Sequence, residues 1–199
     1  MRTLLTSKAI ESRAWEEFAL GSAALRSDVP KSVVARLLQI HWAWVSPSFG
    51  WVYRPAFMRE YRTEQDLRRG PPDKTGDMTT EGPYFSPLLL AVLCGHAARF
   101  HESGELGDIL IARARLLMGA EIHRPSAITT VQALLQLSAR DLAHGQISQA
   151  WLYSGMAFRM VSDLGLHHGV GSVQGLGQLN AEDLEIRRRL FWSCYFWDK

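Results

Sequence analysis

Along most of this chain apolar residues recur every three or four positions, and no strand-type alternation persists, so the pattern predicts helix after helix. The first predicted helix covers residues 4–26, with Ile10, Ala14, Phe18 and Leu25 to one side and Gly21 as a weak point. Asp28 is a candidate cap for a second helix, with Pro30 tolerated in its first turn and Val34, Leu37, Leu38, His41 and Val45 on a common side. Pro47 is expected to break that helix, leaving S-P-S-F-G-W-V-Y-R-P-A-F as an aromatic loop packed onto its neighbours. Pro55 opens a short helix through Tyr61, and residues 66–83 read as a mobile loop. Ser86 and Pro87 form a cap and first-turn pair ahead of L-L-L-A-V-L-C-G-H-A-A-R-F-H. After a break at Ser103 and Gly104 a helix runs from about Glu105 to Ala120. Ser126 is placed as the cap of the next, which Gly145 ends.

The last quarter of the chain carries the strongest pattern. From Ile147 to Leu164 the only charges are Arg159 and Asp163, and a helix so sparsely charged is expected at the centre of a fold. Within it Trp151, Gly155 and Phe158 are placed on one face, and Gly155 is read as a notch that admits a close neighbour. Gly165 and Leu166 fit the left-handed end and apolar contact of a Schellman cap, and His167 is placed to bond the last carbonyls of the helix. A glycine-rich loop follows from His168. Asn180 then caps a final helix with Glu182 and Asp183 in its positive first turn. Leu184, Arg188, Phe191, Tyr195 and Asp198 make one stripe. Arg188 is therefore expected inside an aromatic face, paired with Asp163 or Asp198, because a desolvated guanidinium needs a partner. Glu185 is expected to reach Arg189 at i+4.

The expected fold class is all-α: multi-helical, with packed antiparallel helix pairs, and incomplete at the C-terminus because no stop signal precedes Lys199. Aromatic surface left open at that end is expected to favour association.

Composition narrows the function. With 199 residues, 47% hydrophobic and 21% charged, the chain is able to bury a real core. A net charge of +2 gives no electrostatic case for nucleic-acid binding, and consecutive Arg187, Arg188 and Arg189 point in three directions around a helix rather than along a phosphate track. Seven tryptophans suggest aromatic-heavy packing or an open partner surface. Cys94 and Cys194 stand alone in apolar helices, which fits buried thiols in a reducing compartment and no zinc spacing. With no leader and no membrane-length apolar run, the chain is expected to be soluble and intracellular. No hydrolase, metalloprotease or P-loop motif occurs, and G-V-G-S-V-Q-G-L-G follows a helix, not a strand, so no catalytic residue and no cofactor-binding residue is assigned. His167 and His168 lack a third ligand, so no metal site is assigned either.

From Ile40 onward the order of features resembles the fungal-specific transcription factor domain, the regulatory middle region of zinc-cluster activators of the xylanolytic activator type. The carriers are H-W-A-W-V-S-P-S-F-G-W-V-Y-R-P-A-F-M-R-E (41–60), F-S-P-L-L-L-A-V-L-C-G-H-A-A-R-F (85–100) and P-S-A-I-T-T-V-Q-A-L-L-Q-L-S (125–138). Most specific are A-W-L-Y-S-G-M-A-F-R-M-V-S-D-L-G-L-H (150–167) and E-I-R-R-R-L-F-W-S-C-Y-F-W-D-K (185–199). Their marker residues are Trp151, Gly155, Arg159, Asp163, Gly165, His167, Arg188, Phe191, Trp192 and Asp198. The resemblance assigns residues 41–199 to the first part of that regulatory domain and leaves 1–40, an N-terminal helical segment, unassigned. It implies a nuclear protein acting in transcription, with protein partners or the rest of a transcription factor around it. The family's zinc sits in a six-cysteine cluster; this chain has two cysteines, so zinc and direct DNA contact are expected only through a domain not present here. The alternatives are a free-standing helical sensor, holding a small apolar effector between Trp151, Phe158, Phe191 and Tyr195, or a non-functional truncated paralogue. A helical enzyme is the weakest.

Overall fold

The computed structural model describes residues 29–67, 82–101, 104–168 and 179–199, and every regular element among them is helical. The expected helix at 4–26, the Asp28 cap, most of the 66–83 loop and the glycine-rich stretch 169–178 lie outside the described residues.

Helix α1 (Lys31–Ile40) starts on Pro30 without a side-chain cap and buries Leu37, Leu38 and Ile40. Pro47 does not break it. The chain instead passes through one π turn, His41–Val45, in which the Ser46 N–H reaches back five residues to the His41 carbonyl, and continues as the short α2 (Ser46–Phe49). A proline inside a helix lacks its N–H and clashes with the carbonyl four residues before; widening the preceding turn shifts that register. Gly50, at φ 62°, supplies the stop. The aromatic segment then folds inward as expected: Trp51 is buried, stacked on Phe49 at 4.4 Å and edge-on to Trp197 at 5.2 Å. Helix α3 (Arg54–Leu67) is longer than its sequence pattern suggests and buries Ala56 and Phe57.

Ser86 caps α4 (Pro87–Ala97) by accepting the Leu89 N–H at 3.1 Å. A 3-10 turn (Ala98–Phe100) leads toward α5 (Gly104–Glu121), and the two helices form a hairpin. Two glycines let them close: a Cβ on Gly95 would lie 2.8 Å from Ile111 Cδ1, and one on Gly107 would lie 3.1 Å from Ala98 Cβ.

Helix α6 (Ile128–Ala143) is the centre. Thirteen of its 16 residues are buried, so it, rather than the helix beginning at Ile147, is the one enclosed on nearly all sides. Its N-cap is Ala127 with no side-chain bond, so Ser126 does not cap it. It ends in a Schellman motif at Gly145 (φ 75°), where Gln146 N–H meets the Asp141 carbonyl at 2.8 Å and Gly145 N–H meets Leu142 at 3.0 Å. Helix α7 (Ile147–Asp163) returns along it and buries only Ala150, Tyr153, Ala157 and Val161. The expected second Schellman end is present: Leu166 N–H to Val161 O and Gly165 N–H to Ser162 O, both 3.1 Å, with Gly165 at φ 62° and Leu166 buried. Helix α8 (Ala181–Asp198) opens on a capping box between Asn180 and Asp183 and buries Ile186, Leu190 and Cys194.

Two buried histidines complete the core. His41 sits in the π turn with neither ring nitrogen hydrogen-bonded, whereas His96 Nδ1 lies 2.9 Å from Gln136 Oε1. Burial, with a smaller contribution from nearby His96, pushes the His41 imidazole down to about 3. Burial is also the main cause that lowers His96, to about 4, with Arg99, Arg140 and His144 acting in the same direction against the Gln136 bond.

Two measurements check this packing. The notch expected at Gly155 is absent, since a Cβ there meets nothing within 4 Å. Gly155→Ala is therefore expected to raise urea-unfolding stability by about 0.5–1 kcal/mol, while Gly95→Val lowers it by about 1–3 kcal/mol through overpacking against Ile111. For pH, both histidines stay neutral in the fold while the unfolded chain protonates below about 6.5. Stability is thus full above that pH and falls as pH drops toward the folded values. His41→Leu is expected to make the loss between pH 7 and pH 5 smaller by about 2 kcal/mol in urea titrations at the two pH values.

Candidate interaction surface

The outward side of α7 is apolar. Trp151 is 74% exposed and Leu152 62%, and together with Ile122 from the end of α5 they line a shallow groove of about 480 Å³. Gly155 forms part of its floor, and Arg159 brings a charge to it. A helix can turn such residues outward only if its other face is satisfied. Here the small Ala150 and Ala157, with Tyr153 and Val161, fill that inner face against α6.

A second aromatic patch lies on α8. Trp192, Tyr195 and Phe196 are exposed and meet edge to face, at 5.7 Å for Trp192–Tyr195 and 6.3 Å for Tyr195–Phe196. The inner side of the same helix anchors it. Arg187 donates to the Leu164 carbonyl at 2.6 Å, Tyr84 hydrogen-bonds Asp183, and Arg59 pairs with Glu182 at 2.7 Å. Near its end Trp197 Nε1 donates to Ser138 Oγ at 3.1 Å, and that hydroxyl donates to the Ala150 carbonyl at 2.8 Å. Burial and the Asp183 bond hold the Tyr84 phenol far above its ordinary range, so it stays a neutral donor.

Several sequence expectations are corrected here. Arg188 is not buried and meets neither Asp163 nor Asp198; it lies at the surface, paired with Glu185 one turn back at 2.8 Å. Glu185 also takes Arg189 at 2.6 Å, as expected, and the two guanidiniums, Arg188 first, bring its carboxyl down to about 2. The inward face of α8 differs from the expected stripe: Ile186, Leu190 and Cys194 face inward, while Tyr195 and Asp198 face out and Phe191 is half-buried. His167 is exposed against His168, at 3.9 Å between rings, and Arg187 rather than His167 satisfies the end of α7. Trp151, Gly155 and Arg159 do share one surface, whereas of the expected effector residues Trp151 and Tyr195 stand exposed on separate helices and Phe158 and Phe191 are half-buried. Asp163 is exposed at the last position of α7, and Trp192 belongs to the outer patch.

The residues that sequence reasoning missed are Arg187, Ser138 and Ile122. A signal for Arg187 existed: Ile186, Leu190, Cys194 and Trp197 form a stripe with no charge, which sets Arg187 at its edge and Arg188 outside it.

Among the described residues no three His, Cys, Asp or Glu side chains gather as metal ligands. The cysteines do not fit zinc, which binds thiolates: burial raises both Cys94 and Cys194 to about 12, and they stand on separate helices. Among the described residues no helix is long and apolar enough to cross a membrane.

Residues 38–199 match the fungal specific transcription factor domain. The nitrogen assimilation transcription factor nit-4 of Neurospora crassa is 30% identical over 178 residues, covering 84% of this chain and 15% of that protein. The nitrogen assimilation transcription factor nirA of Emericella nidulans is 29% identical over 180 residues, 85% of this chain and 18% of that protein. An uncharacterised transcriptional regulatory protein of Schizosaccharomyces pombe, C1683.13c, is 36% identical over 126 residues, 59% of this chain and 19% of that protein. The chain thus spans less than a fifth of the length of each. No solved structure matches it.

Single substitutions separate anchors from bystanders. Ser138→Ala, which strands the Trp197 N–H while the Ala150 carbonyl keeps its intrahelical bond, is expected to lower stability by about 1 kcal/mol in urea unfolding. Arg187→Ala is expected to cost about 1–2 kcal/mol for the uncapped Leu164 carbonyl. Arg188→Ala is expected to leave the urea midpoint in place, and a shift as large as that of Arg187→Ala would contradict its surface placement.

Proposed function

The chain belongs to the fungal specific transcription factor domain family, and on that premise we propose that it is the helical regulatory body of a zinc-cluster transcription factor. Its partners are other proteins or other parts of such a factor, and it works in the nucleus. DNA is reached through a zinc-cluster module outside these residues. The contribution of this chain is binding rather than catalysis.

One observation supports this reading above the others: large aromatic side chains on α7 and α8 face solvent although the inner faces of both helices are fully engaged. Exposed Trp and Tyr side chains set beside apolar neighbours are the residue types that carry binding energy in protein interfaces. Arg159 in the α7 groove adds a group able to orient a partner of opposite charge.

The test is a reporter assay with the chain fused to a heterologous DNA-binding module. Doubly substituted Trp151→Ser/Leu152→Ser and Trp192→Ser/Phe196→Ser forms are expected to change reporter output several-fold while helical content and melting temperature hold. Output identical to the parent chain in both would remove the role assigned to these faces.

A further inference from the structure

Away from both aromatic faces, α1, α3, α4 and α5 enclose a partly open cavity of about 190 Å³. Val34, Phe85, Leu90, Ala91 and Leu110 give it apolar walls, contributed by helices far apart in sequence. Lys31, Glu64 and Arg113 also border it and supply its polar margin. An apolar protein cavity of roughly 150 Å³ admits a molecule the size of benzene, so this one has room for a single substituted ring or a short branched chain. One polar group stands out in the lining. Gln65 borders the cavity, and its amide Oε1, turned away from the open space, is buried with no hydrogen-bond partner. A buried acceptor without a donor is unfavourable, and the terminal amide torsion is broad, so rotation of the amide toward a molecule in the cavity that brings an O–H or N–H would relieve it.

We infer that this cavity is a binding site for a small, mostly apolar molecule of about one ring in size, recognised through a hydrogen bond to the Gln65 amide. Apolar walls with few placed polar groups are the usual make-up of small-molecule sites. The bound molecule touches α1 and α3 on one side and α4 and α5 on the other, so it stabilises their packing. The alternative effector site expected from sequence, Trp151, Phe158, Phe191 and Tyr195, lies on α7 and α8, whereas this cavity lies among α1, α3, α4 and α5. This site does not rest on the regulatory role, because it is tested on the purified chain without transcription.

The probes are p-cresol and toluene, which share ring and methyl and differ by one hydroxyl. Titration calorimetry and thermal shift on the whole 199-residue chain are expected to show both binding, with p-cresol roughly tenfold tighter. Gln65→Leu is expected to bring the two affinities together while toluene still binds. Ala91→Leu, which adds a side chain to the wall, is expected to abolish both while the melting temperature is kept or raised. The inference is overturned if neither probe gives heat or a thermal shift. It is equally overturned if the preference for p-cresol survives Gln65→Leu, or if Ala91→Leu binds as the parent does. Circular dichroism of each variant establishes its fold, and should one fail to fold, the other decides.

Discussion

A helix buried on nearly every side needs partners for the polar groups it carries, and α6 carries many, of which the Gln132 Oε1 is left without one. Gln132 donates to the Trp51 carbonyl at 2.9 Å, Gln136 meets His96, and Ser138 joins Ala150 and Trp197. Asp141, fully buried, takes Arg115 at 3.0 Å. Each of these bonds ends on a different part of the fold: the aromatic segment before α3, then α4, then α7 with α8, then α5. Apolar contact alone would let the helices slide over α6, because it is non-directional. Unpaired buried polar groups are costly, so these bonds fix rotation and register as well as distance.

The glycine contact between α4 and α5 works in the same way from another direction. With no side chain at Gly95 or Gly107 the two helices approach until Ile111 and Ala98 fill the gap. That approach helps press His96 into the interior, where Gln136 of α6 meets it. Helices α4 and α6 thus form the shared centre, and α1, α3, α5, α7 and α8 each bury one face around it.

Much of this was legible in the sequence, and the misses have particular causes. Local signals carried through: Ser86 with Pro87, Gly145, Gly165 with Leu166, and Asn180 each act through backbone geometry that depends on a few neighbouring residues. The all-helical class followed from periodicity. What failed was the choice of inward face and of central helix. Both α6 and α7 are poor in charge, but Trp151 and Leu152 read as core by composition, whereas Thr129, Gln132 and Gln136 did not. Tertiary contacts reversed that order: Gln132 and Gln136 on α6 bond Trp51 and His96 inside, while Trp151 and Leu152 on α7 stay exposed. The Arg188 expectation fails for a related reason: Phe191 and Tyr195 share its stripe, yet Tyr195 is exposed and the stripe does not face inward. The cavity beside Gln65 was invisible to sequence, because its walls come from four elements whose spacing only the fold defines.

The Ser138 hydroxyl has a wider reach than one bond suggests. It holds the carbonyl of Ala150, whose next residue is Trp151, and the indole of Trp197, whose preceding residue is Phe196. Two outward patches, carried on separate helices, are therefore tethered through a single oxygen atom. A partner that levers either patch by more than an ångström or so must stretch that tether past hydrogen-bonding range. Such a movement would be handed on to the opposite patch or else end with the oxygen letting go of one of its two neighbours.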